Sequence, residues 1–564
     1  MSRSFRFPRR GRWRARLALA WACLAVAPGC ASLGWAPPPP PTLDEDGLFV
    51  APSRDAAPVV RARGRVFHDV DGNGVRGAGE PGLSGVRVSN GVDIVRTDDE
   101  GRYAIDLQGD GAVFVIKPRD WRTPLDRHGL PQFYRLHRPN GSADEGFEFP
   151  GSEPTGPLPE SVDFALTPHP EPERFRIVAI GDPQPYDASH LAWYGRDTVA
   201  ELVGVDAELV LLLGDLVGND LSLFEPLNEL NGLIGPPIYP VPGNHDVNAR
   251  APDDALSLET YERVYGPSTY AFQVGRVHFA VLDDVVWGGA APADWMGRGH
   301  YVGGLRPDQL RFLENLLATL PQDDLLVLAM HIPLDSQSGG APTPNRAVFE
   351  LLSAHPRSLS ISGHTHSIRH RFFGADHGYA PEGGGEHHHF TAGAASGNRY
   401  RGVRDEVGIP HATMRDGSPN GYAFIEFDGA DYRIRYKASR RPASYQMNVI
   451  APDRVEPGRA ALVEVNVFNG NERSRVEMRV GSAGEWQALR RRTGTDPLYE
   501  AARARERTPG ALALQESRST RHLWVGRLPR DLAPGTHLIE IRATDMWGRV
   551  DRAHRPVRVG PPDD

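Results

Sequence analysis

The chain has 564 residues, more than one hydrophobic core can serve, so about three or four domains are expected. Hydrophobic residues make up 40% and charged residues 24%, which excludes a disordered chain and a membrane bundle. The formal charge of −9 becomes −16 without the first 30 residues, which hold seven arginines and no acid; a body this acidic argues against a nucleic-acid partner but not against a small phosphorylated one.

Residues 1–16 are Arg-rich, and 17–27 form an apolar run too short to span a bilayer. Together they predict an export signal over 1–30. Val26-Ala27-Pro28-Gly29-Cys30 resembles a bacterial lipobox, which would lipidate Cys30 and make the chain a cell-envelope lipoprotein, periplasmic or on the outer membrane. Ala27 stands where Leu is usual, and plain cleavage after Ala27 is the alternative. The pair Arg9-Arg10 is a fragment of a twin-arginine export motif. Cys23 and Cys30 are the only cysteines, so the body has neither an internal disulfide nor a thiolate metal site. Within a linker over 31–58, the proline run 37–41 predicts a stiff spacer, with a disordered tail as the alternative.

Residues 59–168 read as a small β-sandwich, with strands at 60–67, 86–89 and 103–107 separated by turn residues. The stretch GLSGVRVSNG followed by TDDEGRY resembles bacterial surface-protein and carboxypeptidase-regulatory-like sandwich modules. Within this region Asp69, Asp71, Asn73, Gly74, Val75 and Glu80 match positions 1, 3, 5, 6, 7 and 12 of a calcium loop. Oxygens at alternate positions can wrap one structural Ca ion; a polar Asp-Gly turn without an ion is the alternative.

Residues 169–438 alternate apolar runs (175–180, 209–213, 238–241, 277–282, 325–330, 359–361) with helical patterns, which predicts an α/β domain. One helix should begin near Pro307 with Leu310, Leu313, Leu317 and Leu320 on one face, and another should span 345–354. Residues 439–564 return to a β pattern at 461–467 and 537–543, the latter resembling an immunoglobulin-like module. The expected fold is a central two-sheet α/β sandwich flanked by N- and C-terminal all-β sandwiches.

The apolar runs of the central domain lead into metal-ligand residues: Asp182 and Gln184, then Asp215, then Asn244-His245-Asp246, then His331, then His364 and His366. Groups at strand ends of an α/β sheet gather in one crevice. Five such pieces in this order resemble the calcineurin-like metallophosphoesterase family over roughly residues 172–370. The resemblance implies that Asp182, Gln184 and His366 hold one divalent or trivalent ion (Mn, Fe or Zn), that Asn244, His331 and His364 hold a second, and that Asp215 bridges them. His245 would point at the substrate, with Asp246 orienting it. It implies an enzyme that hydrolyses phosphomonoesters or phosphodiesters by in-line attack of a metal-bridging hydroxide. Gln184 stands where the family has His; its alternative role is a hydrogen bond to the bridging water.

The remaining candidates are weaker. His190, His278, His300 and His377 read as ordinary surface or hydrogen-bonded side chains, and His387-His388-His389 as a strand start with one ring lining the pocket, a metal cluster being the alternative. A D-G-x-P-N-G-Y segment similar to that of exported metallophosphoesterases marks Asn420 and Tyr422 as substrate-binding; an ordinary Pro-Asn-Gly turn is the alternative. Trp287 and Trp295 are candidates for stacking on a substrate ring or for packing. The rival function is a tethered binding or adhesion protein built on a retired phosphoesterase domain.

Overall fold

The computed structural model describes residues 59–142, 147–289, 301–335, 345–506 and 512–561. The leader, the lipobox cysteine, the proline run, Trp295 and His300 lie outside these residues.

Strand Val59–His68 alternates buried Ala62 and Val66 with exposed Arg61 and Arg63, the pattern of a sheet with one dry face. It pairs antiparallel with Arg102–Gln108 and parallel with Phe164–Pro168. A second sheet, built on Arg87–Ser89 and Gly111–Ile116, closes the N-terminal sandwich. This sandwich shares its core with the next: Phe114 lies edge-on to Phe312, and Phe133 packs on Tyr270. A buried ion pair, Lys117 to Glu171, reinforces the junction, and Lys117 also donates to the Gln273 carbonyl. In the Asp69–Glu80 loop, oxygens of Asp69, Asp71 and Glu80 lie within 4.8 Å of one another. The same carboxylates accept backbone N–H groups of the loop: Gly72 and Gly74 donate to Asp69, and Val70 and Gly77 to Glu80.

The centre is a sandwich of two mixed sheets. One runs in the order Ile238–Val241, Leu209–Leu213, Arg174–Ile180, Gly421–Asp428, Asp431–Ala438, the first three parallel. The other runs Tyr270–Val274, Val277–Val281, Leu325–Ala329, Ser358–Ser362, His387–Ala392, Ile368–Phe373, with its middle four strands parallel. Continuous apolar runs form these strands because both faces are buried. Phe175, Ile177, Ala179, Leu209, Leu211 and Leu213 point into the layer between the sheets, where Tyr239 stacks on Phe272 at 3.8 Å. Val178, Ile180, Val210 and Leu212 point the other way, under helical residues Leu191, Tyr194, Phe224 and Leu227.

The runs expected at 209–213 and 238–241 are strands with those bounds. The helix from Pro307 ends at Leu317; the turn after it buries Leu320 separately. The second expected helix is Arg346–Ser353. After strand His387–Ala392 the chain makes a long excursion over residues 393–420 before returning to the first sheet. The C-terminal sandwich packs a four-stranded sheet on a five-stranded one around Val463, Val465, Met478, Trp524, Ile539 and Ile541. Its short helix Pro497–Arg505, capped by Asp496, lies against the 393–420 excursion through Tyr499.

Candidate metal centre

Parallel strands end on the same edge of their sheet, so Arg174–Ile180, Leu209–Leu213 and Ile238–Val241 hand Asp182, Asp215 and Asn244 to one place. In the facing sheet, Leu325–Ala329 and Ser358–Ser362 do the same for His331, His364 and His366. The two groups are tied together where the His364 N–H donates to the Asp182 carboxylate at 2.9 Å. The turns are tight. Among the described residues, Asp182, Gln184, Asp215, His364 and His366 account for five of the eleven non-glycine residues with positive φ. Such strain persists only where the surroundings hold it, and it gathers at functional sites. The glycines follow from crowding: at Gly214, φ +80°, a Cβ would sit 2.4 Å from His331 Nδ1, and at Gly363 it would sit 2.6 Å from Asp182 Oδ2.

Two cups share one carboxylate. Ligand atoms of Asp215, His331 and His364 lie within 4.8 Å of one another, and so do those of Asp182, Asp215 and His366. In the first cup His331 Nε2 is 3.2 Å from Asp215 Oδ1, and Asn244 Oδ1 lies 3.1 Å from that nitrogen and 2.9 Å from His364 Nδ1. In the second, His366 Nε2 is 3.4 Å from Asp182 Oδ1. The tautomers follow from what each ring donates to. His331 Nδ1 donates to the Leu213 carbonyl and His366 Nδ1 to the Gly397 carbonyl, so each Nε2 faces its cup. His366 Nε2 is buried and has no hydrogen-bond partner. A buried orphan acceptor facing carboxylates fits a cation between them.

The electrostatics agree. Burial pushes the Asp182 carboxyl well above the ordinary carboxylate range. Burial acts upward on Asp215 too, but the charges of His331 and His245 hold it below that range. Burial opposes a charge on His331, yet Asp215 raises its pKa to about 10. Burial lowers His366 to about 3. Without a cation the shared carboxylate thus pairs with His331; a bound cation would take that proton's place.

Several expected roles are corrected. Asp246 does not orient the His245 ring: its carboxylate accepts the backbone N–H groups of Leu216, Val217 and Gly243 at 2.8–3.1 Å, pinning two site loops together. The ring is oriented by Asn219, whose Oδ1 accepts from His245 Nδ1 at 2.6 Å. This directs His245 Nε2 toward the cups, 3.9 Å from Asp215 Oδ2. Gln184 presents its amide nitrogen, not its oxygen, to Asp215 Oδ2 at 3.1 Å, while its oxygen accepts from Arg399 Nε at 3.1 Å. An arginine only donates, so the amide cannot be turned over without losing that bond. In this arrangement Gln184 holds Asp215 and turns its oxygen to Arg399.

The Asn420 amide is occupied with Asp197 and the Ala395 carbonyl. Tyr422 is buried in the core beside Phe424, so both belong to the turn and strand rather than to a substrate surface. Trp287 is a packing residue whose Nε1 donates to Ala251. None of His387, His388 and His389 lines the pocket. They sit inside strand His387–Ala392, where His387 and His389 alternate with Ser358, Ser360 and Ser362 in a buried cross-strand hydrogen-bond ladder, and His388 bonds His370 and Tyr432. Reasoning from sequence missed Asn219 and Arg399. The first has a faint signal, an amide four residues after Asp215. The second lies in an irregular loop with none.

Three sequence models match the chain: calcineurin-like phosphoesterase over residues 175–367, its N-terminal partner over 70–152, and its C-terminal partner over 389–550. Among solved structures, a purple acid phosphatase from yellow lupin (Lupinus luteus) seeds is similar at 10% identity, over 78% of this chain and 70% of its own, with a TM-score of 0.32. The sulfur carrier protein SoxY from Chlorobium limicola f thiosulfatophilum is similar at 12% identity, over 21% of this chain and 81% of its own, with a TM-score of 0.12. No curated protein matches the chain.

Proposed function

The chain belongs to the calcineurin-like phosphoesterase family and is a phosphoric ester hydrolase, and from that premise we propose that it cleaves small phosphomonoesters or phosphodiesters at the cell envelope. The observation that supports this most is the sharing of Asp215 between two cups. Asp182, Asp215 and His366 would hold one cation, and Asp215, Asn244, His331 and His364 the other. A pair of iron, zinc or manganese ions there would neutralise phosphoryl charge and make water acidic enough to attack phosphorus near neutral pH.

The chain's own groups do the rest. Asp182 and Asp215 fix the spacing of the two cups, and His364 N–H locks Asp182 in place. With Nδ1–H given to Asn219, a protonated His245 carries its second proton on Nε2, facing the cups. That proton passes to the leaving oxygen as the phosphorus–oxygen bond breaks. No covalent enzyme intermediate is required.

The envelope location rests on the Arg-rich start, the apolar run and the lipobox-like residues before Cys30; fractionation that leaves the chain in the cytoplasm would overturn it. For the activity, a panel of mono- and diesters assayed with each metal in turn should show turnover that Asp215→Ala lowers by ~1,000-fold or more. A fully active variant would refute the assignment.

A further inference from the structure

Arg399 lies on the excursion between the second central sheet and the last strands of the first, outside the catalytic match and inside the C-terminal one. It and Tyr400 have consecutive positive φ angles, +57° and +49°. Two such residues in a row are costly and need to be held. The C-terminal sandwich holds one side: Asn398 Nδ2 donates to Tyr499 Oη at 2.6 Å, and Tyr499 in turn donates to the Gln515 carbonyl. Tyr400 holds the other, buried against His190 and Trp193 at ring distances of 5.8 and 5.7 Å.

The result is a half-buried guanidinium aimed at the metal centre. Its Nε donates to Gln184, which donates to the shared Asp215, so two hydrogen bonds connect Arg399 to the middle of the site. Among the described residues it has no carboxylate within 4.0 Å, unlike Arg306, which Asp254 and Asp283 neutralise at 3.1 and 2.9 Å. Neighbouring Arg401 also lacks an acidic partner among the described residues, and its buried Nε has no hydrogen-bond partner. Two unneutralised guanidiniums beside a site for phosphoryl groups call for an anion.

We propose that Arg399 grips the substrate phosphoryl group through its two Nη atoms and makes the site select phosphomonoesters over phosphodiesters. This rests on the hydrolase reading above and narrows it. A monoester carries nearly two negative charges and three non-bridging oxygens near neutral pH, whereas a diester carries one charge and two such oxygens. With Nε fixed on Gln184, the fork matches a pair of phosphoryl oxygens. In a diester the second ester arm occupies the place of the third oxygen.

The test uses the metal-loaded full chain, with p-nitrophenyl phosphate and bis(p-nitrophenyl) phosphate as substrates and inorganic phosphate as a calorimetric probe. Arg399→Ala should lower the monoester-to-diester ratio of kcat/KM by ~10- to 100-fold, the range of a charge-assisted contact; any loosening of Gln184 and Asp215 slows both esters and cancels in that ratio. The variant's phosphate Kd, compared at equal bound metal per chain, should rise by ~10-fold or more. Arg399→Lys, which keeps the charge and the fold but loses the fork, should fall between. Equal losses on both esters, or unchanged phosphate affinity in both variants, would overturn the proposal. If the unaltered chain turned over neither ester, the hydrolase reading would fail, and the phosphate titration would still decide the role of Arg399.

Discussion

Asn219→Ala should act mainly on turnover, and Asp246→Ala mainly on the stability of the fold. The bond from His245 Nδ1 to Asn219 is 2.6 Å long and sits beside a ring that is charged when it acts as an acid. A hydrogen bond to a charged group contributes about 1.5–3 kcal/mol. At ~1.36 kcal/mol per decade of rate, its loss should reduce kcat by ~10- to 150-fold. Asn219 is half-buried, and its φ of +80° suits Asn better than Ala, so the melting temperature should fall by only a few degrees. Asp246 accepts three buried backbone N–H groups. Leaving them without an acceptor costs about 1–3 kcal/mol each, so a loss of ~3 kcal/mol is a low figure. For a domain of this size that lowers the melting temperature by ~6–12 °C. The assays are steady-state hydrolysis of p-nitrophenyl phosphate and a thermal melt on each variant. An Asn219→Ala enzyme within ~2-fold of the parent, or an Asp246→Ala protein with an unchanged melt and a large rate loss, would return the orienting role to Asp246.

Metal binding should release protons. His331 holds its proton up to about pH 10 in the metal-free chain because Asp215 outweighs burial, so a cation binding at pH 8 must displace it, and affinity should rise with pH toward 10. His366, lowered to about 3, has no proton to lose at that pH. Calorimetry in buffers of different ionisation enthalpy reads the release; a buffer-independent heat would refute it. Gly363→Ala places a methyl 2.6 Å from Asp182 Oδ2 and should abolish binding at the cup built on Asp182, measured as bound metal per chain; two retained ions would contradict the packing argument. Glu171→Ala strands the buried Lys117 ammonium between the N-terminal and central sandwiches and should destabilise by ~3–5 kcal/mol in a denaturant melt. A loss below ~1 kcal/mol would mean that water or the Gln273 carbonyl satisfies Lys117 alone.

The strands that carry the site were legible because burial on both faces demands unbroken apolar runs; Leu209–Leu213 and Ile238–Val241 have the bounds their composition implies. The residues at their ends were legible because turns this tight need glycine beside a ligand, as at Gly214-Asp215 and Gly363-His364. Orientation was not legible. Asp246 follows His245 directly, which made it look like the ring's partner, but neighbours at a turn point apart, and its oxygens instead gather the N–H groups of another loop. Gln184 sits at a ligand position, yet the direction of its amide is set by Arg399, 215 residues away. The histidine triplet shows the same limit in part: its place at a strand start was legible, but not that a facing row of serines takes up His387 and His389 in a hydrogen-bonded ladder and leaves no ring for the pocket. Contacts of this kind depend on long-range packing that no local pattern encodes.

Crystals equilibrated with manganese and measured at the absorption edge would decide whether the centre is binuclear. Two anomalous peaks about 3.5–4 Å apart, one on each side of the Asp215 carboxylate, are expected. A single peak, or none near Asp215, would contradict the shared-carboxylate account.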